Sequence, residues 1–286
     1  MSNVTQTVVG SVVSLWRYPV KSMMGEELNS SEVTPRGLLG DRAYALVDGI
    51  DGKIASAKNP RKWPQLFDFR AVFVDAPRAK VPPVRITLPD GTIINPEQVN
   101  LNQILSRVLH RDVTLDAAAR GQKELVESTS PNAAAATAEE YWPDMEGIDH
   151  RDTVTDFALP KGTFFDCAAV HVLTTATIDR LRELYPQGRF EARRFRPNIV
   201  VDQPNGVKDF VENAWIDHTL AIGDEVRLSI TGGCPRCVMT TLSQGDLPKD
   251  PRILRTAAQH NHANVGVYAA VLKGGTIRRG DQVRLE

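Results

Sequence analysis

The stretch IGDEVRLSITGGCPRCVMTT at residues 222–241 decides how this chain is interpreted. Its first half alternates apolar and polar side chains and ends at Gly232–Gly233, which is typical of a β-strand that closes in a turn. Cys234 and Cys237 follow, and the residues after them are predicted to continue as an ordered strand. The stretch therefore predicts a β-rich fold with two cysteines at the end of one strand.

Similar strand patterns occur on both sides of this stretch. β-Branched and aromatic residues predict a strand at 8–18, and the apolar run from Ile199 to Val201 predicts another. Helical patterns are few, and the apolar spacing at 96–109 predicts one short amphipathic helix. Many short strands with glycine turns and few helices predict an α+β fold that is mostly β, with a β-barrel and flanking helices.

The Ala- and Glu-rich segment 116–150 changes the character of the chain. It has little aliphatic patterning, so it is interpreted as a long, mobile connection with one helical turn. This segment is the predicted boundary between an N-terminal β-rich domain at residues 8–125 and a β-barrel domain at residues 150–286.

Composition excludes several classes of protein. The chain has 286 residues, 42% of them hydrophobic and 24% charged, which is ordinary for a globular protein. A net charge of -1 argues against a nucleic-acid partner, and three cysteines argue against a disulfide framework. We find no apolar run of the roughly 20 residues that span a bilayer, and Met1–Thr7 lacks a signal-peptide pattern. The expectation is a cytoplasmic protein with no membrane partner.

The pair Cys234–Cys237 leaves four interpretations open. It could be half of a zinc site, a redox pair, one functional thiolate, or two buried structural cysteines. Zinc would need further ligands that the scattered histidines do not supply, and a redox pair normally follows an early strand of a βαβ unit. The neighbouring Arg236 would favour a thiolate, which could act as a nucleophile or as a soft-metal ligand.

Clusters of cations and hydroxyls suggest anion recognition. Arginines 193, 194 and 196 precede an apolar strand, and guanidinium groups suit phosphate or carboxylate, although solvated surface arginines are the plainer alternative. Lys21 and Ser22 follow the first strand, and Arg42 opens another. Thr174 and Thr175 stand where a strand meets a helix, where they could cap the helix or help its N-terminus to hold an anion.

Taken together, these pieces resemble the MOSC superfamily, which includes the C-terminal domain of molybdenum-cofactor sulfurases. The similarity is to members with an additional N-terminal MOSC β-barrel domain, and in particular to the amidoxime-reducing component and its bacterial homologues. The matching segments cover nearly the whole chain: YPVKS at 18–22, GDRAYALVD at 40–48, RFRPNIVVD at 194–202, Trp215 to Gly223, CPRCVMTT at 234–241 and GVYAAV at 266–271.

The resemblance implies a barrel of the pyruvate-kinase type and a site that binds the molybdenum cofactor (molybdopterin). It implies that Cys237 ligates molybdenum and is the catalytic residue. The other cofactor contacts that it implies are Lys21, Ser22, Arg42, Thr174, Thr175, Arg196, Asn198, Arg236 and Thr240.

The expected activity is the reduction of a small N-hydroxylated or related N–O or S–O substrate. The segment after Thr241 departs from the TT-V-D-P-x-T-G pattern of the amidoxime-reducing proteins, which bears on the substrate class. Three cysteines cannot bind an iron–sulfur cluster through four thiolates, and no ferredoxin domain follows, so a separate electron donor is expected. The alternatives are a sulfur carrier or transferase with a persulfide on Cys237, and a non-catalytic carrier of the cofactor.

Overall fold

The protein is mostly β, with 39% of residues in strands and 18% in helices, as the sequence predicts. The computed structural model describes residues 7–78, 81–118, 135–145, 152–203 and 206–286. No helix in these ranges is long and apolar enough to span a membrane.

The regular elements are numbered in chain order. The strands of the first half are β1 (Thr7–Arg17), β2 (Glu26–Leu28), β3 (Ser30–Thr34), β4 (Gly37–Leu38), β5 (Tyr44–Asp48), β6 (Arg70–Phe73), β7 (Val84–Thr87), β8 (Ile93–Ile94), β9 (Val113–Ala117), β10 (Thr137–Trp142) and β11 (Thr153–Ala158). The later strands are β12 (Val170–Thr174), β13 (Ile199–Asp202), β14 (Thr219–Ile222), β15 (Val226–Pro235), β16 (Asn264–Lys273), β17 (Gly275–Arg278) and β18 (Gln282–Leu285). The α-helices are α1 (Leu101–Leu109), α2 (Thr175–Leu184), α3 (Ala192–Phe195) and α4 (Arg252–Asn261).

The chain divides into two compact units that are not continuous in sequence. One consists of residues 1–17, 27–39 and 168–286 and is called the barrel unit here. The other consists of residues 18–26 and 40–167 and is called the second unit. The domain limits 8–125 and 150–286 stay a prediction.

Seven strands of the barrel unit close into a barrel in the order β1, β13, β12, β16, β15, β14, β18, with β18 pairing back to β1. Closure leaves these strands without an exposed edge. Alternate side chains of each strand point inward, and the resulting core includes Leu15, Val172, Ile199 and Leu228, all less than 1% exposed. The sequence pattern predicts this burial, because the period of a strand is two residues.

Helices α2 and α3 connect the parallel strands β12 and β13, and α4 connects β15 to β16. The helices pack with the outer face of the barrel through an apolar cluster of their own, which includes Ile178, Leu181, Phe195 and Ile253. Asp250 accepts a hydrogen bond at 2.9 Å from the N–H of Arg252, the first residue of α4, which stabilises the start of the helix.

The described residues of the second unit form three small antiparallel sheets: β5–β9, β10–β11 and β6–β7–β8. Ala45, Ile54, Ala138 and Leu159 form one of its apolar clusters. Helix α1 packs on β9, where Ser106 bonds both the N–H and the carbonyl of Val113.

Three predicted elements differ from the structure. The helix predicted over 96–109 begins only at Leu101. The residues before it form turns, one of which is closed by a hydrogen bond from the Gln98 N–H to the Asn95 carbonyl. Strand β10 lies inside the segment predicted to be a connection, because pairing with β11 in the register Thr137↔Ala158 overrides its weak strand propensity. The other predicted features of 119–134 and 146–151 lie outside the described residues.

The third difference concerns Val238–Thr241, which forms a 3₁₀ turn and not a strand. Thr240 and Thr241 each donate their hydroxyl to the carbonyl three residues earlier, those of Cys237 and Val238. Such local bonds offer the backbone an alternative to the sheet, which is why two β-branched residues do not extend β15.

Candidate functional site

The end of β15 places the two cysteines of the CPRC segment in the barrel unit. The register between β15 and β16 shifts between Ile230 and Gly232, and again between Gly233 and Pro235. A Cβ on Gly233 would lie 2.8 Å from the side chain of Asn264 on β16, so the close approach of the two strands requires glycine here. The glycine pair thus allows the strand to bend just before Cys234.

Cys234 is fully buried and is surrounded by polar side chains. The Nη1 of Arg236 donates to its sulfur, and the Nη2 of Arg236 donates to the carbonyl of Phe195 at 2.9 Å. Burial by itself would raise the pKa of the Cys234 thiol. The charges of Arg236 and His171, with hydrogen bonds from His171 and Tyr268, outweigh burial and lower that pKa to about 6. Arg236 therefore stabilises a thiolate at Cys234, whereas the sequence drew attention to Arg236 as the neighbour of Cys237.

His171 lies beside Cys234, and hydrogen bonds fix both its backbone and its ring. The ring Nε2 lies 2.9 Å from the carbonyl of Val265, and the backbone N–H of His171 donates to Oδ1 of Asn198 at 3.0 Å. Gly266 has a φ of +82°, and a Cβ there would lie 2.3 Å from Nε2 of His171. Asn198 also donates to the carbonyl of Trp16, so its amide joins β1 to β12.

Cys237 stands immediately before the 3₁₀ turn and is 9% exposed. Its carbonyl accepts two bonds from Thr240, from the N–H at 3.1 Å and from the hydroxyl at 3.0 Å. The hydroxyl of Thr240, which the sequence predicts to contact the cofactor, donates to the backbone of the cysteine. The predicted ligand thus has a fixed backbone and a nearly buried side chain.

Three of the predicted cofactor contacts share an uncommon backbone conformation. Ser22, Arg42 and Arg196 have φ values of 64°, 48° and 53°, in the left-handed region that side chains other than glycine rarely occupy. Each such residue costs about 1–2 kcal/mol, and such residues concentrate at functional sites. Arg196 is also only 5% exposed and ends the short helix α3, so its position is set by the fold.

Thr174 and Thr175 begin helix α2, as the capping interpretation predicts. The Thr174 hydroxyl accepts from the N–H of Thr177 at 3.1 Å and donates to Oε2 of Glu212 at 2.6 Å. The hydroxyl of Thr175 donates to Asp202 at 2.7 Å. Glu212 is 1% exposed and its Oε1 has no hydrogen-bond partner among the described residues, so burial raises its pKa despite the threonine hydroxyls.

Lys21, Ser22 and Arg42 belong to the second unit. The ammonium of Lys21 donates to Asp166 and, at 2.9 Å, to the carbonyl of Phe164. Burial alone would raise the pKa of Asp166, but Lys21, Lys58 and Arg42 hold that pKa well below its usual range. Burial lowers the pKa of Lys21, and Asp166 opposes that shift. The Lys21 charge is therefore balanced within its own unit.

The other two residues of this group are anchored as well. The guanidinium of Arg42 pairs with Asp41 and lies 4.6 Å from the centroid of the Tyr18 ring. The hydroxyl of Ser22 accepts a bond from the N–H of Ala57 at 3.0 Å.

The barrel unit brings Cys237, Thr240 and Arg236 together with Cys234, His171 and Tyr268. Sequence reasoning missed His171, Tyr268, Glu212 and Asp166. A signal existed for Asp166, because a buried lysine requires an acidic partner, but nothing in the spacing points to its position. Across the described ranges, no three or more His, Cys, Asp or Glu side chains are grouped so that they could hold a metal ion.

Comparison with known proteins identifies both parts of the chain. The MOSC domain model matches residues 160–284, and the MOSC N-terminal beta barrel domain model matches residues 9–95. The chain is a MOSC-domain protein. MOSC domains bind the molybdenum cofactor.

Individual relatives extend over most of the chain at low identity. Mitochondrial amidoxime reducing component 2 of Rattus norvegicus is 25% identical over 300 residues, covering 96% of this chain and 83% of the relative. The molybdenum cofactor sulfurase of Oryza sativa subsp. japonica is 25% identical over 296 residues, and the matched part spans 34% of that protein. Among solved structures, the YuaD protein of Bacillus subtilis matches with a TM-score of 0.47 and 10% identity over 98% of both chains.

Proposed function

We propose that this MOSC-domain protein is a molybdenum-dependent oxidoreductase in which Cys237 is the ligand of the metal. The observation that carries the proposal is the fixed position of Cys237. Cys237 is 9% exposed, and its carbonyl accepts two hydrogen bonds from Thr240. A metal ligand must be held still by the groups around it, whereas a sulfur carrier needs a sulfur that can leave its site.

The residues of the barrel unit fit the molybdenum cofactor. A thiolate is a soft ligand of the kind that such a metal takes. The Nε of Arg236 is buried and has no hydrogen-bond partner within the described part of the chain, so this donor is available to an acceptor atom of a ligand. A buried cationic donor of this kind suits the phosphate or the pterin of the cofactor.

Each residue near Cys237 has a separate part in this proposal. Bound cofactor would supply two-electron redox chemistry at molybdenum. Cys237 would bind the metal, Thr240 orients Cys237 through its carbonyl, and Arg236 would bind the anionic part of the cofactor. The cofactor contacts that the resemblance implies for the remaining residues stay predictions: Arg196, Asn198, Thr174, Thr175, Lys21, Ser22 and Arg42.

The proposed substrate is a small N-hydroxylated compound or a related N–O or S–O compound. Support comes from the amidoxime-reducing relatives, which match over 96% of the chain. Electrons would come from a separate protein or domain, because the three cysteines of these 286 residues cannot ligate a cluster through four thiolates.

Metal analysis tests the proposal. Wild type and the variants Cys237→Ser, Cys234→Ser and Cys167→Ser are produced in a host that makes the cofactor, and molybdenum per protein is measured. We expect Cys237→Ser to lose molybdenum and Cys167→Ser, at an exposed cysteine, to retain it. Wild type with molybdenum should reduce benzamidoxime when a chemical electron donor is supplied, and Cys237→Ser should not.

A different result would favour the sulfur-carrier alternative. That alternative predicts no turnover by cofactor-loaded protein, together with a stable mass gain of one sulfur atom on Cys237 after incubation with a persulfide donor without metal. Molybdenum bound in wild type without any reduction of benzamidoxime or of S-oxides would instead indicate a carrier of the cofactor.

A further inference from the structure

Arg194 belongs to the arginine cluster that the sequence singled out for anion recognition, yet the structure uses it differently. Its side chain is completely buried. Its Nε donates to the carbonyl of Arg189 at 3.1 Å. Four of its five N–H groups have backbone carbonyl acceptors, which is an unusual use of a residue that normally pairs with carboxylate or phosphate.

Three of those acceptors lie in the segment that follows Cys237. Nη1 donates to the carbonyls of Thr240 at 3.1 Å and Leu242 at 3.0 Å, and Nη2 donates to that of Pro248 at 3.1 Å. A single planar guanidinium thus joins three points of one loop. The flat, rigid arrangement of its donors fixes their relative positions.

Gln244 makes the connection reciprocal. Its Nε2 donates to the carbonyl of Arg194 at 3.2 Å and to that of Met239 at 3.3 Å. Thr240, whose carbonyl accepts from Arg194, donates in turn to the carbonyl of Cys237. A chain of two hydrogen bonds therefore runs from the Arg194 guanidinium through Thr240 to the backbone of Cys237.

We infer that Arg194 is a positioning residue for Cys237, which sets the place of the thiol through the 3₁₀ turn and contacts neither cofactor nor substrate. The inference rests on the proposed function only in taking Cys237 as the metal ligand. The neighbouring Arg193 provides a contrast, because its guanidinium pairs with the side chains of Glu191 and Asp246 at 2.7 and 2.6 Å.

The test measures alkylation of the two buried cysteines in protein without cofactor, so it does not depend on metal binding. Mass spectrometry of peptides gives separate rates for Cys237 and Cys234 with iodoacetamide at one pH. Global unfolding exposes both thiols alike, whereas local release of the turn exposes Cys237 alone. The ratio of the two rates therefore distinguishes positioning of Cys237 from general support of the fold.

We expect the ratio to rise at least about tenfold in Arg194→Gln, because the loss of even one hydrogen bond from a charged donor corresponds to that much. Arg194→Lys should raise it nearly as far, because one ammonium cannot reach three separated carbonyls. Arg193→Gln should leave the ratio unchanged. So should Ile222→Ala, which weakens the barrel at a residue that is less than 1% exposed.

Gln244→Met offers a milder variant if the Arg194 variants do not fold, and it should raise the ratio in the same direction by a smaller factor. An unchanged ratio in Arg194→Gln, or in Gln244→Met where that is the variant that folds, would overturn the inference. A wild-type ratio of the two rates in Arg194→Lys would also overturn the inference, because a positive charge alone would then be enough to position Cys237. Molybdenum content is a separate readout, so loss of the proposed function would not be mistaken for loss of positioning.

Discussion

Two regions of the molecule hold buried charges by opposite means. In the second unit, charges are matched by opposite charges: Lys21 pairs with Asp166, and Asp48 pairs with Lys62 and Arg111. In the barrel unit, all the acceptors of the Arg194 guanidinium among the described residues are carbonyls, and Glu212 accepts hydrogen bonds from threonine hydroxyls. Both regions carry sequence motifs that suggest anion recognition. The role of each charged side chain is therefore determined by its partners in the fold and not by the motif.

Because the partners differ, the two kinds of buried contact should respond differently to pH and to competing anions. An ion pair changes when either member titrates, and another anion can compete for its cation. Carbonyl acceptors do not titrate, so Arg194 can be released only when the loop itself opens. The contacts of Arg194 with the loop after Cys237 are therefore independent of pH, whereas the ion pairs of the second unit weaken when one of their members titrates.

The largest expected effect is a difference in stability between variants of the two buried cations, Arg194 and Lys21. Arg194→Met should lower the free energy of unfolding by about 4 kcal/mol, because several buried carbonyls lose a charged donor at once. Lys21→Met should cost about 1–2 kcal/mol, because the carboxylate that it leaves, Asp166, is 31% exposed and can be hydrated. Chemical denaturation of both variants measures the difference, and equal losses would contradict the comparison.

Asp48 should give the second unit a stability that falls in acid. Burial would raise its pKa, but bonds from Arg111 and Lys62 lower it to about 2, against an ordinary value of about 3.9. Because the folded pKa is the lower one, this contribution is complete above the ordinary pKa and is lost as pH falls towards 2. Asp48→Asn should therefore cost about 2 kcal/mol at pH 7 and little at pH 2.

The matched control for Asp48 is Asp224→Asn, at a carboxyl that is fully exposed. It should change stability little at either pH. A loss for Asp48→Asn that is the same at pH 7 and at pH 2 would show that the ion pairs do not account for it.

Glu212 should give the barrel unit a stability that depends on pH in the opposite direction. Burial raises its pKa, so its contribution is complete below the ordinary value of about 4.3 and is lost as pH rises through the folded value. Glu212→Gln should remove this dependence, so that the variant gains on wild type as pH rises. Thermal unfolding between pH 4.5 and 8 measures this, and parallel curves would count against it.

The smallest expected effect concerns the backbone. His262 is exposed and ends α4 with a φ of 50°, the same left-handed conformation as Arg196. His262→Gly should raise stability by about 0.5 kcal/mol and leave molybdenum content unchanged, because glycine adopts this conformation without strain. A loss of stability would mean that the His262 side chain makes a contribution larger than the strain.

Much of the fold could be predicted because it depends on local patterns. Alternation along residues 226–231 and the glycines after them predict β15, and Asp250–Pro251 predicts the start of α4. Local patterns could not predict closure of the barrel, because closure depends on pairs of residues that are far apart in sequence, such as Ser11 and Asp202. The turn at Val238–Thr241 was wrongly predicted, because threonine hydroxyls bond the backbone locally.

The candidate site likewise has residues that the sequence indicates and contacts that only the fold shows. Motifs point to Cys237, Arg236 and Arg196, because their residue types carry the chemistry. They could not predict that Arg194 bonds Thr240 46 residues away, or that Lys21 pairs with Asp166 145 residues away. Carbonyl acceptors leave no trace in residue identity, so a buried arginine of this kind is indistinguishable from an anion-binding one until the fold is known.

The most direct test of the central claim replaces sulfur by selenium at one cysteine at a time. Protein with selenocysteine at position 237 is loaded with cofactor, and molybdenum K-edge X-ray absorption is recorded, with selenocysteine at position 234 as the matched control. We predict selenium among the atoms bound to molybdenum only when it stands at position 237. Selenium bound to the metal from position 234, or from neither position, would contradict Cys237 as the ligand.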